Sequence, residues 1–279
     1  MMPTEEAVSV DATCRRPIHW RCAAMTHTGC VRKVNEDALL STADHWAVAD
    51  GMGGHQVGDV ASGKIIEALK SLTVPESLAE AVDCVDDCLQ AINAELQHYA
   101  REVLGGATMG STLVDLIIRG RLGVGLWAGD SRLYRYRQQR LELLTTDHSQ
   151  VEDMVRQGLI HRGQARSHEC SNVITRAVGV EASIKLDLRV FDVQVGDLFL
   201  LCSDGLHGVI SDSQIEQTLR HRDPERCSQV LLNAVLDEGA PDNVSMIIVR
   251  GELGPVAMDV PSTRTRLSRW KALTDDGPS

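Results

Sequence analysis

Apolar residues recur at helical spacing in two neighbouring stretches. Over 57–72, Val57, Ala61, Ile65, Leu69 and Leu72 share one face. Over 77–102, Leu78, Val82, Val85, Leu89, Ile92, Leu96 and Tyr99 follow at steps of three and four. Pro75 separates these two predicted helices, and Ser77 is placed to cap the second. Strand patterns surround them. Residues 111–118 and 121–128 flank Gly120 as a hairpin, and 132–137 and 140–144 continue the run. In 184–193, Ile184, Leu186, Leu188 and Val190 alternate with Lys185, Asp187 and Arg189. Residues 197–202 read as a fully buried strand, and 244–249 as another. Two further helices are predicted at 211–220 and 223–238, the second opening on Asp223-Pro224 and closing at Gly239.

Antiparallel signals with helices grouped in pairs predict α+β layers rather than a doubly wound parallel sheet. No linker or repeat divides the middle, so one domain is expected over 18–252, with tail-like segments at 1–17 and 253–279. The last tail groups Arg264, Arg266, Arg269 and Lys271 with Leu267 and Trp270, and reads as a solvated terminus.

Charge narrows the class. With 28 basic and 39 acidic residues the net charge is −11, which disfavours nucleic acid or an anionic membrane as the main partner. No apolar run approaches the ~20 residues of a membrane span. Glu5, Glu6 and Asp11 stand where a secretory signal needs an apolar stretch, so a cytoplasmic protein is expected. The eight cysteines include no C-x-x-C pair and are expected as free thiols. Cys84 and Cys88, one helical turn apart, are expected to pack beside the buried stripe rather than to bind metal.

The candidate chemistry lies in aspartates at the ends of apolar strands. Trp46-Ala47-Val48-Ala49 runs into Asp50-Gly51, Leu198 to Cys202 runs into Ser203-Asp204-Gly205, and Leu126-Trp127-Ala128-Gly129 runs into Asp130. Asp242-Asn243 immediately precedes the run from Val244. One such aspartate is ordinarily a turn former or helix cap. Several together repel one another unless cations neutralise them. Oxygen ligands alone point to Mg²⁺ or Mn²⁺, and sets of His and Cys with zinc spacing are absent. Gly51 adds a carbonyl that no side chain obstructs. Arg32, close to Asn35-Glu36-Asp37, offers a two-pronged donor suited to phosphate oxygens.

The motifs that carry these residues resemble those of the metal-dependent serine/threonine phosphatases of PPM or PP2C type, in their compact bacterial form. In order they are G-x-V-R-x-x-N-E-D at 29–37, A-D-G-M-G-G-H at 49–55, G-A-T-M-G-S-T at 106–112 and A-G-D-S-R at 128–132. T-x-D-H-S at 145–149, I-T-R-A-V-G at 174–179, S-D-G-L at 203–206 and P-D-N-V-S at 241–245 complete the set. Each is weak alone; together and in order they are specific.

The resemblance implies an α-β-β-α four-layer sandwich, two antiparallel sheets flanked by helix pairs. It also implies two Mg²⁺ or Mn²⁺ ions that bind an attacking water between them. By motif, Asp50 would bridge the ions, the Gly51 carbonyl would join one, and Asp204 and Asp242 would hold the other. Asp37 would stand close by through metal-bound water, Asp130 would hold a weaker third ion with Asp204, and Arg32 would grip the phosphate. Eukaryotic members carry a histidine directly after the D-G pair; here that place is Met52, and His55 is the nearest histidine. General acid, substrate contact and helix cap are equal readings of His55. The segment 149–182 matches the variable flap, where Arg162, Arg166, His161 and His168 could read residues beside a phosphoserine or phosphothreonine or be ordinary loop residues. The implied partners are phosphorylated proteins and a cognate serine/threonine kinase. The alternatives are a pseudophosphatase, or a partner-switch module that binds phosphoproteins without rapid turnover.

Overall fold

A computed structural model describes residues 16–53 and 57–254. The first half of the chain forms β1 (Ile18–His27), β2 (Asp37–Ser41), β3 (His45–Gly53), α1 (Gly58–Ser71), α2 (Leu78–Glu102), β4 (Met109–Ser111), β5 (Leu113–Arg119) and β6 (Leu122–Ala128). The second forms β7 (Arg132–Arg137), β8 (Arg140–Leu143), α3 (Gln150–Arg156), α4 (Arg162–Ala165), β9 (Asp187–Asp192), β10 (Leu198–Cys202), α5 (Asp204–His207), α6 (Asp212–Leu219), α7 (Pro224–Asp237) and β11 (Val244–Leu253). The predicted caps hold: Ser77 accepts from the Glu80 amide, and Asp223 from the Arg226 amide with Pro224 in the first turn.

The strands make two sheets, β1-β11-β10-β7-β8 and β2-β3-β5-β6-β9, with β4 paired to β3. Alternation along each strand divides the core into three apolar layers. Ala47 and Ala49 of β3 face α1 and α2, while Trp46 and Val48 face the other sheet. Leu198 and Leu200 of β10 face α5–α7, while Phe199 and Leu201 meet the sandwich interior. Strands buried on both faces have no polar side to show, so they read as unbroken apolar runs. The result is the four-layer α-β-β-α arrangement. Among the described residues no helix is long and apolar enough to cross a membrane.

The edges depart from the pattern. β1 and β2 carry too many polar residues to stand out, and each lies at a sheet edge. β9 begins only at Asp187, and Leu188 and Val190 are 55% and 56% exposed. Their cross-strand partners Leu126 and Val124 are buried in the layer beneath α1 and α2, whereas β9 is the outermost strand and its apolar side chains lack that cover. Phe191, on the opposite face, fills the sandwich interior instead.

One buried ion pair lies outside the candidate site. His45 Nε2 is 2.6 Å from Asp115 Oδ2, and the two side chains are 3% and 0% exposed. Burial pulls the His45 imidazole down, but the charge and hydrogen bond of Asp115, helped by Asp44 and opposed by Arg119, raise it above its ordinary value. A raised histidine stabilises the fold below its unfolded value of about 6.5, and that contribution is lost as pH rises through the folded value. Asp115→Asn is therefore expected to cost about 2 kcal/mol at pH 6 and less at pH 9. Urea midpoints across that range check it, and a difference independent of pH counts against a charged pair.

Candidate metal centre

Strand register brings the aspartates together. Asp37 opens β2 directly opposite Asp50 of β3. β10 and β11 run antiparallel with Cys202 opposite Met246, so Asp204, just after β10, and Asp242, just before β11, lie at the same end of their sheet. Asp50 and Asp204, one from each sheet, lie close enough for the charge of Asp204 to raise Asp50. Asp130, two residues past β6, adds its charge to Asp50 and feels that of Asp204. Ala240 steers the chain into Pro241-Asp242 with φ +35°, a left-handed backbone uncommon for a residue bearing a Cβ.

The remaining motif residues hold these backbones in place. Asp50 N–H donates to Thr112 Oγ1 (3.2 Å), while Thr112 N–H and the Ser111 hydroxyl donate to Asp50 O (2.8 and 2.9 Å). Thr112 in turn meets the Ser131 hydroxyl (2.8 Å) beside Asp130. His207 Nε2 donates to the Asp130 carbonyl (3.0 Å), and burial holds this imidazole neutral, down at about 3. Asn243 accepts the Glu36 amide (2.8 Å) and donates to the Thr28 and Val34 carbonyls (2.8 and 3.0 Å), fastening the Arg32 loop to the start of β11. Arg132 forks onto Asp147 (2.9 and 2.7 Å), joining the A-G-D-S-R and T-x-D-H-S motifs.

Two glycines are dictated by close approach. A Cβ on Gly51 would stand 2.0 Å from the Gly58 carbonyl oxygen, and one on Gly205 would stand 1.8 Å from that of Asn243. Neither backbone neighbour can yield.

Electrostatics sets the carboxylates of the cluster against one another. Removal from water, followed by the charges of Asp204, Asp37, Asp130 and Asp242, pushes Asp50 well above the usual carboxylate range. Burial and Asp204 push Asp130 up to about 8. Burial and Asp242 push Asp204 to about 6. Asp37 is also raised to about 6 by burial, with the Ser245 and Ser203 hydroxyls opposing. Its Oδ1 is buried and has no hydrogen-bond partner. Arg32 donates from Nη2 to Asp242 Oδ2 (2.7 Å), and its Nη1 is 3.7 Å from Glu36 Oε2.

An orphaned buried oxygen, mutually repelling carboxylates and an all-oxygen donor set fit hard divalent cations. Among the described residues no three His, Cys, Asp or Glu side chains close around a single point. Such a centre leaves coordination positions to backbone carbonyls, water and substrate, as Mg²⁺ favours.

Asp37, Asp50, Gly51, Asp130, Asp204, Asp242 and Arg32 thus meet at one end of the sandwich. His55, with the rest of 54–56, lies outside the described residues, as do Cys14 and the C-terminal basic residues. Beside Asp130 and Asp204 a cleft of ≈ 510 Å³ runs beneath α3 and α4. Its arginines are already engaged. Arg162 forks onto Glu152 (3.0 and 2.7 Å), and Arg166 donates to the His207 and Ile210 carbonyls (2.5 and 3.0 Å). His168 Nδ1 accepts the Cys170 amide (3.2 Å). Glu36, Asn243, Ser203, Ser245 and His207 were not singled out from sequence. All but His207 fall inside the quoted motifs, and that was their only signal.

The profile of the protein phosphatase 2C family matches residues 31–241. The serine/threonine phosphatase stp of Listeria monocytogenes is 33% identical over 238 residues, covering 82% of this chain and 94% of that protein. The solved structure of PppA, described as a key regulatory component of T6SS in Pseudomonas aeruginosa, is 40% identical with TM-score 0.78, over 85% of this chain and all of that one (100%). The catalytic domain of the serine/threonine phosphatase PstP, solved with two manganese ions, is 31% identical with TM-score 0.77 over 84% of this chain and 99% of its own.

Proposed function

The chain belongs to the protein phosphatase 2C family and is a metal-dependent serine/threonine phosphatase, and we propose that the carboxylate cluster at the end of its sandwich is where phosphoserine and phosphothreonine are hydrolysed. The observation that carries this reading is the meeting of Asp37, Asp50, Asp204 and Asp242 from both sheets, with Arg32 bonded to the last.

Asp50 would be shared by two Mg²⁺ or Mn²⁺ ions, with the Gly51 carbonyl on one and Asp204 and Asp242 on the other. Asp130 with Asp204 suits a third, weaker ion. Bound divalent ions lower the pKa of a coordinated water and neutralise charge on phosphoryl oxygens. The chain's own residues do the rest. Arg32 presents a fork that matches two phosphate oxygens at once, and it stands on the solvent side of the cluster at 47% exposure. Asp37 offers Oδ1, which is uncommitted, to accept a proton from the attacking water. The thiol of Cys202 is buried and pushed up, which removes it as a nucleophile. The partners are phosphorylated proteins, and a serine/threonine kinase that places the phosphate is the partner this reaction requires.

Hydrolysis of a phosphothreonine peptide tests the reading. Turnover is expected to vanish under EDTA and to return with excess Mn²⁺ or Mg²⁺. The melting temperature of the chelated protein should rise on adding Mn²⁺, because a ligand that binds only the folded state stabilises it. Turnover that survives thorough chelation rules the reading out.

A further inference from the structure

Asp37 is held by a set of hydroxyls that the reaction itself does not use. Ser203 and Ser245 are fully buried, at 0% exposure each. Ser203 N–H donates to the Ser245 carbonyl (3.0 Å), and Ser245 N–H donates back to Ser203 Oγ (3.1 Å). That amide occupies the acceptor side of Ser203 Oγ. Its single hydrogen is left for Asp37 Oδ2, 2.9 Å away.

A second arm closes a ring. Asp37 N–H donates to Asn35 Oδ1 (3.2 Å), and Asn35 Nδ2 donates to Thr26 Oγ1 (2.7 Å). Thr26 Oγ1 meets Ser245 Oγ (2.8 Å), on the residue whose amide orients the Ser203 hydroxyl toward Asp37. Asn35 Nδ2 can only donate, so the Thr26 hydrogen is free for Ser245 Oγ. Thr26 lies on β1, Ser245 on β11 and Ser203 just past β10, all in one sheet, whereas Asp37 opens β2 in the other.

We propose that Ser203 and Ser245, oriented by Thr26 and Asn35, are positioning residues that pin Asp37 across the gap between the sheets. The ring commits Oδ2 to the Ser203 hydroxyl and leaves Oδ1 as the oxygen available to the metal centre. The inference rests on the role given to Asp37 above. A carboxylate bonded through one oxygen in a buried site cannot swing, and groups that orient a metal-site carboxylate typically matter ten- to a hundred-fold for affinity or rate.

The test uses Ser203→Ala and Ser245→Ala, each alone and combined with Asp37→Asn. Four quantities are read: kcat and KM on a phosphothreonine peptide, Mn²⁺ affinity by calorimetry, and the melting temperature of the chelated protein. Each serine variant is expected to lose about tenfold or more in kcat and in Mn²⁺ affinity, with KM little changed. Added to Asp37→Asn, neither should cost anything further, because the group it orients has already been altered. Ser203→Ala strands the Ser245 amide and could unfold the protein. Ser245→Ala leaves every backbone bond in place and carries the test by itself. Wild-type kcat and Mn²⁺ affinity in Ser245→Ala overturns the proposal while leaving the role of Asp37 intact. An equal loss with and without Asp37→Asn also overturns it, since the serines would then act elsewhere. Full activity of Asp37→Asn alone instead removes the premise.

Discussion

Asp50→Asn is expected to lower kcat/KM on a phosphothreonine peptide by about a hundredfold or more, at least the upper end of what losing a group that only orients a metal ligand costs. Asp130→Asn is expected to cost much less. The substitution keeps the size of the side chain and removes its charge. Asp50 faces Asp204, Asp37, Asp130 and Asp242, whereas Asp130 is set chiefly against Asp204 and Asp147. A second readout separates lost chemistry from lost folding. In the chelated protein Asp50→Asn should melt higher than the parent, because one of several repelling carboxylates has been neutralised. Equal activities of the two variants at saturating Mn²⁺ would count against a bridging role for Asp50.

Arg32→Ala is expected to reduce kcat/KM by roughly ten- to a hundred-fold, the kinetic equivalent of about 1.5–3 kcal/mol for a charge-assisted bond to phosphate. Mn²⁺ affinity should hold or tighten, since the variant frees Asp242 from the guanidinium that now occupies its Oδ2. Arg32→Lys should recover little, because an ammonium is a point charge without the planar fork. The position is 47% exposed, so an ordinary surface arginine is the competing reading. A variant indistinguishable from the parent in peptide kinetics would establish that reading.

Much of this protein is legible before it folds. The two long helices, their capping serine and proline, and the β10 and β11 runs are local properties: spacing of apolar residues, a hydroxyl before a first turn, burial on both faces. The aspartates too could be picked out, because a carboxylate at the end of an apolar strand is conspicuous in one dimension. Edge strands are only partly legible: β8 is predicted at 140–144, whereas β1 and β2 are not. β1 and β2 alternate weakly, and Leu188 and Val190 promised a buried face that the outermost strand does not have. The β7–β8 hairpin turns through Gln138 and Gln139, both left-handed at φ 51° and 63°, where the residue types give no turn signal.

What only the tertiary structure decided is convergence and orientation. Asp37 and Asp204 are far apart in the chain, and nothing local fixes which strands lie side by side; register across β2–β3 and β10–β11 places both at one end of the sandwich. The same holds for the groups that serve them. In the sequence Ser203, Ser245 and Asn243 are short polar residues inside motifs, able to bond to almost anything. Hydrogen bonds are short and directional, so what each does is settled only when the two sheets close and fix which partners are within reach.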